Sequence, residues 1–201
     1  MHLLIIRHGE SEADILRCHE GRADFNLTQR GHAQAEAMAQ RVASEFKVTR
    51  ILASPLKRAA QTAGHLSEAV GLPIEFDEDL MEHNNGLLAG LTYEEADRLY
   101  PKVENLPVDQ SVYGQESMVE FRARAERALK KIMALDEPDA VVAVVSHGGT
   151  IHQLYSAMLG LPVTADFRFF LTGDTGIHLW QVKDGAVRVL AANLTEHTKG
   201  I

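Results

Sequence analysis

Leu3-Leu4-Ile5-Ile6-Arg7-His8-Gly9-Glu10 opens the chain with a run of branched apolar residues that ends at once in a cation, a histidine and a glycine. The same order returns far downstream, where Ala140–Val145 runs into Ser146-His147-Gly148-Gly149. Short runs of Val, Ile and Leu bounded by turn residues read as strands buried on both faces, as in a parallel sheet. Glycine after each histidine lets the backbone turn and lets something approach closely. Ligands of open α/β sheets bind beyond the carboxyl ends of the strands, so the two His-Gly steps mark where the chemistry gathers. A third run, Arg50–Ala53, leads into Ser54-Pro55-Leu56-Lys57-Arg58.

Between these strands lie helical patterns with start signals. Thr28 precedes a helix to about Phe46. Ser54-Pro55 reads as an N-cap followed by proline in the first turn, opening a helix to about Val70 and placing Arg58 near its start. Thr92-x-x-Glu95 and Ser117-x-x-Glu120 fit capping boxes, the second beginning a helix to about Leu135. A further helix is predicted over Gly149–Leu159. Late strands are predicted at 166–171, 175–182 and 186–191, the last two joined by Lys183-Asp184-Gly185. Strands alternating with helices predict an α/β fold, a three-layer α/β/α sandwich with a mostly parallel sheet. The stretch from about 77 to 115, with Gly, Pro, Asn and one short helix, reads as a small insertion over the C-terminal edge of the strands. Residues 1–201 then form a single domain.

Composition narrows the partners. The chain has 201 residues, 45% of them hydrophobic, enough for one domain burying roughly two-thirds of its unfolded surface. Charged residues make up 24%, which excludes global disorder. Twenty basic against 28 acidic residues give a net charge of −8, which argues against a protein that coats nucleic acid or anionic membrane. No apolar run approaches the roughly 18 residues of a membrane span, and the apolar start is too short for a signal peptide. One cysteine, Cys18, excludes a disulfide framework and fits a reducing cytoplasm. It has no arginine six residues on, as a cysteine phosphatase would require. Neither a His-Glu-x-x-His motif nor a cysteine pair is present to hold zinc, and there is no nucleotide-binding Gly-x-x-x-x-Gly-Lys loop.

Two histidines and two arginines thus converge on one sheet edge, and their chemistry points to phosphate. Guanidinium groups meet phosphoryl oxygens in fork geometry and stay charged. An unprotonated histidine can attack phosphorus while a second, protonated one stabilises the equatorial oxygens. The acid needed by a leaving alcohol is best sought in Asp79-Leu80-Met81-Glu82-His83.

These residues resemble the signature blocks of the histidine phosphatase (phosphoglycerate mutase-like) superfamily, its small-phosphatase branch in particular. The blocks are Leu4 to Ser11; Gly21-x-x-Asp24-x-x-Leu27-Thr28-x-x-Gly31; Ser54-Pro55-Leu56-x-Arg58-Ala59-x-Gln61-Thr62-Ala63; Leu80-x-Glu82-x-x-x-Gly86-x-x-x-Gly90-Leu91-Thr92; Gly114-x-Glu116-Ser117; and Val144 to Gly149, in the expected order over nearly the whole chain. The resemblance implies that His8 is the nucleophile and forms a phosphohistidine. Arg7, Arg58 and His147 would clamp the phosphoryl oxygens, and Glu82 would protonate the leaving oxygen. Gly148, Asp14 and Gly21 are further phosphate or substrate contacts, and no metal or cofactor is implied. Asp14 stands where the family often has Asn. A carboxylate there must point away, pair with a cation or carry a proton. Ile151-His152 stands where an arginine is common, and His152 is expected on the helix surface.

The implied function is a metal-independent, histidine acid-type phosphomonoester phosphatase acting on a small phosphorylated metabolite. Leu87, Leu88, Tyr100 and Tyr113 are candidate walls for its leaving group. The alternatives are a cofactor-dependent phosphoglycerate mutase and a non-catalytic phospho-ligand binding module. Against the mutase, residues 83–113 hold only Arg98 and Lys102 as cations. A late apolar strand with Trp180 is either core or the edge of a homodimer.

Overall fold

The computed structural model of the chain describes residues 1–166 and 168–201. Six strands form one sheet: β1 (His2–Arg7), β2 (Arg50–Ala53), β3 (Ile74–Phe76), β4 (Val141–Ser146), β5 (Ile177–Lys183) and β6 (Ala186–Leu194). Their order is β3-β2-β4-β1-β5-β6. The first four are mutually parallel, while β5 runs antiparallel to β1, and β6 to β5. Among the described residues six α-helices accompany them: α1 (Glu12–Leu16), α2 (Gln29–Glu45), α3 (Lys57–Val70), α4 (Tyr93–Leu99), α5 (Met118–Met133) and α6 (Gly148–Met158).

Alternation along the central strands explains the three layers. Successive side chains of a strand point to opposite faces, and here both faces are apolar. Leu4, Ile6, Ala143 and Val145 pack on one side with Met38 of α2 and Leu66 of α3. Leu3, Ile5, Val142 and Val144 pack on the other with Ala125 of α5 and Leu154 of α6. The sheet is therefore sealed between two helical layers, and its strands open to ligands only at their ends.

The caps at Thr28, Thr92 and Ser117 form as the sequence predicts, the last two as full capping boxes. Ser54 does not cap α3, which begins at Lys57 after Leu56. Its hydroxyl lies instead 2.8 Å from a ring nitrogen of His147. The described residues of 166–171 form no strand (residue 167 lies outside them). The sheet position beside β1 is taken by β5, and Phe170 packs on His152 and Tyr155 instead. Trp180, fully buried in β5, is core. Between Asp77 and Gln115 the chain makes two 3₁₀ turns and α4 and lines the cleft above the strand ends.

Candidate active site

Sheet register brings the two histidines together. β1 and β4 are neighbours, with Arg7 opposite Ser146, so the residues that follow, His8 and His147, leave the sheet side by side. Their rings lie 5.1 Å apart. β2 flanks β4 with Ala53 opposite Val145, which delivers Ser54 beneath His147 and Arg58, in the first turn of α3, beside His8.

The turn after β1 depends on glycine. A Cβ on Gly9 would stand 2.6 Å from the carbonyl oxygen of Gly31, so only glycine lets this loop lie against the start of α2. The Gly9 amide also donates to Thr62 Oγ1 on α3 at 3.1 Å. His8 is held between these elements with 1% of its surface exposed.

Hydrogen bonds define which nitrogen of His8 bears the lone pair. Nδ1 lies 2.8 Å from the Gly9 carbonyl oxygen, which can only accept, so Nδ1 carries the proton and Nε2 bears the lone pair. Burial, with the charges of Arg58 and Arg7 behind it, holds the His8 pKa well below its ordinary 6.5. The ring is thus neutral at neutral pH.

Arg58 is fully buried. Its Nε donates to His8 Nε2 at 3.3 Å, Nη1 to the Ala23 carbonyl at 3.0 Å and Nη2 to the Gly21 carbonyl at 2.9 Å. Three of its five N–H groups are occupied, which leaves two for a ligand. Burial lowers its pKa, opposed by Glu20 and Glu82. Arg7 is steered by the carbonyl of Thr172 at 2.8 Å and by Asp174 at 3.4 Å. Burial raises the Asp174 pKa, and Asp14 and Glu10 reinforce the rise against Arg7.

His147 is also neutral. Burial, then Arg58, His8 and Arg7, press its pKa well below 6.5, so the proton expected on the second histidine is not held. The Ser54 hydroxyl accepts from the Leu56 amide at 3.3 Å and is free to donate to His147 Nε2. Such a donation would leave the proton of the neutral ring on Nδ1, which has no partner among the described residues.

Glu82 arrives from the segment beyond β3. Its carboxylate accepts from the Gly149 amide at 2.9 Å and from the His83 amide at 2.8 Å. A Cβ on Gly149 would lie 2.4 Å from Glu82 Oε1, so the second glycine of His147-Gly148-Gly149 is what admits this side chain. Arg124 of α5 anchors the loop by donating to the carbonyls of Asp79, Met81 and Glu82 and pairing with Glu116. Glu116 also accepts from the Asn84 amide at 2.7 Å.

The cleft above these groups holds about 920 Å³ and is lined by Arg7, His8, Asp14, Gly21, Glu82 and Gly148, among others. Asp14 is engaged at home: it closes the capping box of α1, its carboxylate accepting from the Ser11 amide at 2.8 Å. Gly21 contributes its carbonyl to Arg58. Of the four expected walls only Leu88 lines the cleft. Leu87 is exposed, and the rings of Tyr100 and Tyr113 meet each other at 5.1 Å, tilted by 53°. Tyr93, edge-on to His19, lines it instead. His152 is buried, contrary to the surface position expected, with its ring 4.1 Å from that of Phe170.

Sequence reading missed Glu20, Arg124 and Ser54 as parts of the site. The first two carry no local signal, since each is an ordinary charged residue in a polar context. Among the described residues no group of three or more His, Cys, Asp or Glu is placed to hold a metal ion. No described helix is long and apolar enough to cross a membrane.

A neutral imidazole backed by two guanidinium groups, with a carboxylate across the cleft, has the parts of a phosphoryl-handling site. The chain belongs to the histidine phosphatase superfamily (branch 1), whose pattern it matches over residues 3–195. It is 33% identical to glucosyl-3-phosphoglycerate phosphatase of Mycobacterium tuberculosis over 80% of this chain and 76% of that one. It is 35% identical to the probable phosphoglycerate mutase GpmB of Escherichia coli over 85% and 80%. The mycobacterial phosphatase solved with VO3 superposes with a TM-score of 0.82 at 29% identity, covering 96% of this chain and 98% of that one. The chain is thus similar to relatives named as phosphatases and as mutases.

Proposed function

We propose that this protein is a metal-independent phosphatase of the histidine acid type, hydrolysing small phosphomonoesters through a phosphohistidine on His8. The observation that carries the reading is the state of His8: buried, neutral, with its lone pair on Nε2 beside Arg58. Nε2 attacks phosphorus, the P–N bond forms as the ester P–O bond breaks, and Glu82 passes a proton to the departing alkoxide. Water then attacks the phosphohistidine, Glu82 takes its proton, and phosphate and free His8 are restored. Arg7, the two remaining N–H groups of Arg58 and the Nδ1–H of His147 receive the phosphoryl oxygens. This donor set balances phosphoryl charge without a metal. Gly148, at the start of α6, adds a backbone amide at the same edge.

Hydrolysis is favoured over mutase action by the far wall of the cleft. A mutase must hold a phosphorylated sugar acid while excluding water. Lys102, the cation that residues 83–113 bring to the cleft, is 80% exposed and paired with Glu104 at 3.3 Å. The intact nucleophile and acid weigh against a purely binding role. Relatives named for glucosyl-3-phosphoglycerate and phosphoserine support a small phosphorylated metabolite as substrate, and the single free cysteine suits the cytoplasm.

Hydrolysis of an aryl phosphate in excess chelator, comparing wild type with His8→Ala, tests the reading. Turnover should survive the chelator and fall about 10⁴-fold or more in the variant. An alkaline quench during turnover should trap a phosphoenzyme, and fast turnover without one would overturn the two-step scheme. Isomerisation of phosphoglycerate in place of hydrolysis would make the protein a mutase.

A further inference from the structure

Glu20 occupies a position that the proposed chemistry does not use. One carboxylate oxygen lies 3.4 Å from Arg58 Nε, and the other stands 3.7 Å from His8 Nε2. These are the two groups a phosphoryl ligand must meet, one for charge and one for attack. The carboxylate has the sign and the oxygen spacing to stand in for part of a phosphate. It is held there by the Ser11 hydroxyl, 2.5 Å from Oε1, and by its neighbour Gly21, whose carbonyl binds Arg58.

The contact is built to release. Ser11 Oγ also lies 3.2 Å from Asp14 Oδ2, yet a hydroxyl has one proton to donate. When Glu20 leaves, the Ser11 hydroxyl, keeping its proton, turns its hydrogen bond to Asp14 and stays paired. Glu20 keeps 19% of its side chain exposed, so the way out is toward the mouth of the cleft.

We propose that Glu20 is an affinity-setting residue of the phosphoryl site, competing with substrate and product for Arg58 and for the space before His8 Nε2. The inference rests on the phosphatase reading, in which it keeps phosphate from lingering after the second step. A phosphoryl group binds as Glu20 swings outward, and the returning carboxylate repels the phosphate formed. The site then binds all phosphate monoesters more weakly than its donors alone would allow.

Calorimetric binding of inorganic phosphate to the full chain, in wild type, Glu20→Gln and Glu20→Ala, tests this without requiring turnover. Both variants should bind phosphate at least about fivefold more tightly, because like-charge repulsion is removed from a partly desolvated site. Their KM for an aryl phosphate should fall in the same proportion. Unchanged or weaker binding in both variants would overturn the inference, as would no measurable binding in all three proteins. Tighter binding confined to Glu20→Gln would also overturn it, since the new amide donor would then be the cause. Normal phosphate binding with no wild-type turnover would count against the phosphatase reading alone.

Discussion

The two sides of the cleft are built on different physical principles. The phosphate side, with His8, His147, Arg7 and Arg58, is fixed by register between adjacent parallel strands and by the first turn of α3. Moving any one of these groups would mean sliding a strand sealed on both faces. The leaving-group side, with Glu82, Asn85, Leu88 and Tyr93, is carried by irregular chain between Asp77 and Gln115, and its acid is anchored by Arg124 and Glu116. On the proposed function, a rigid half would read phosphate and a loop-borne half the rest, so that substrate could change without a change of chemistry.

The largest test of that division is Glu82→Gln. If the loop-borne half supplies the proton, kcat for an alkyl phosphate should fall by about 10²–10⁴-fold with KM nearly unchanged. The loss should shrink for an aryl phosphate, whose leaving oxygen needs less protonation. An equal loss for both esters would assign Glu82 a role in holding the site together, and the two halves would no longer be separable by chemistry.

The halves should also differ in how their stability falls with pH. The rigid half rests on histidines kept neutral by burial: His8, His147 and His178, the last pushed down to about 4. Each binds a proton more readily in the unfolded chain, so its contribution is full above pH 6.5 and is lost as pH falls below it. His178 alone accounts for on the order of 3 kcal/mol between pH 6.5 and 4. The loop-borne half shares that behaviour through His83, whose pKa burial lowers, and adds carboxylates held low: burial alone would raise Glu116 and Asp79, but Arg124 for the first, and Arg127 with Lys131 for the second, outweigh it. The carboxylates' contribution is lost only as pH drops through the carboxylate range. Denaturant melts should show stability declining from pH 6.5 downward, and His178→Gln should flatten the upper part of that decline. A stability that stays level from pH 6.5 to 5 would contradict the burial argument.

What was legible in the sequence follows the same divide. His8, His147 and Arg58 were readable because each stands at a fixed offset from an apolar run, and a strand's end is a local property. Ser54 was misread for the opposite reason. Its spacing before Pro55 fits a cap, yet its hydroxyl serves a histidine 93 positions away, and no local rule encodes that partner. Glu20 and Arg124 have roles only because the fold brings His8, Arg58 and the Glu82 loop to them. Tyr100 and Tyr113 were plausible walls by composition, but they satisfy each other, and Tyr93, the first residue of α4, reaches the cleft. The strand expected at 166–171 had suitable residues, but Phe170 packs against His152 and Tyr155 and not into the sheet.

Ser54 also provides the finest test of the rigid half. If its hydroxyl donates to His147 Nε2, it acts as a positioning residue that keeps the ring's proton on Nδ1, aimed at the phosphoryl oxygens. Ser54→Ala removes that donor from a fully buried position and lets the proton move to Nε2. The His147 lone pair would then face the ligand, and a donor would become a repulsive acceptor. We expect kcat to fall about tenfold, the worth of one hydrogen bond, with a lowered melting temperature because the Leu56 amide and the His147 ring each lose a buried partner. Nitrogen NMR of the imidazoles should show His147 switching tautomer in the variant. A switch without a loss of turnover would remove His147 from the phosphate clamp, and a loss without a switch would mean that Ser54 acts through packing. Only both together would place tautomer control in strand register, since it is the alignment of β2 against β4 that sets Ser54 under His147.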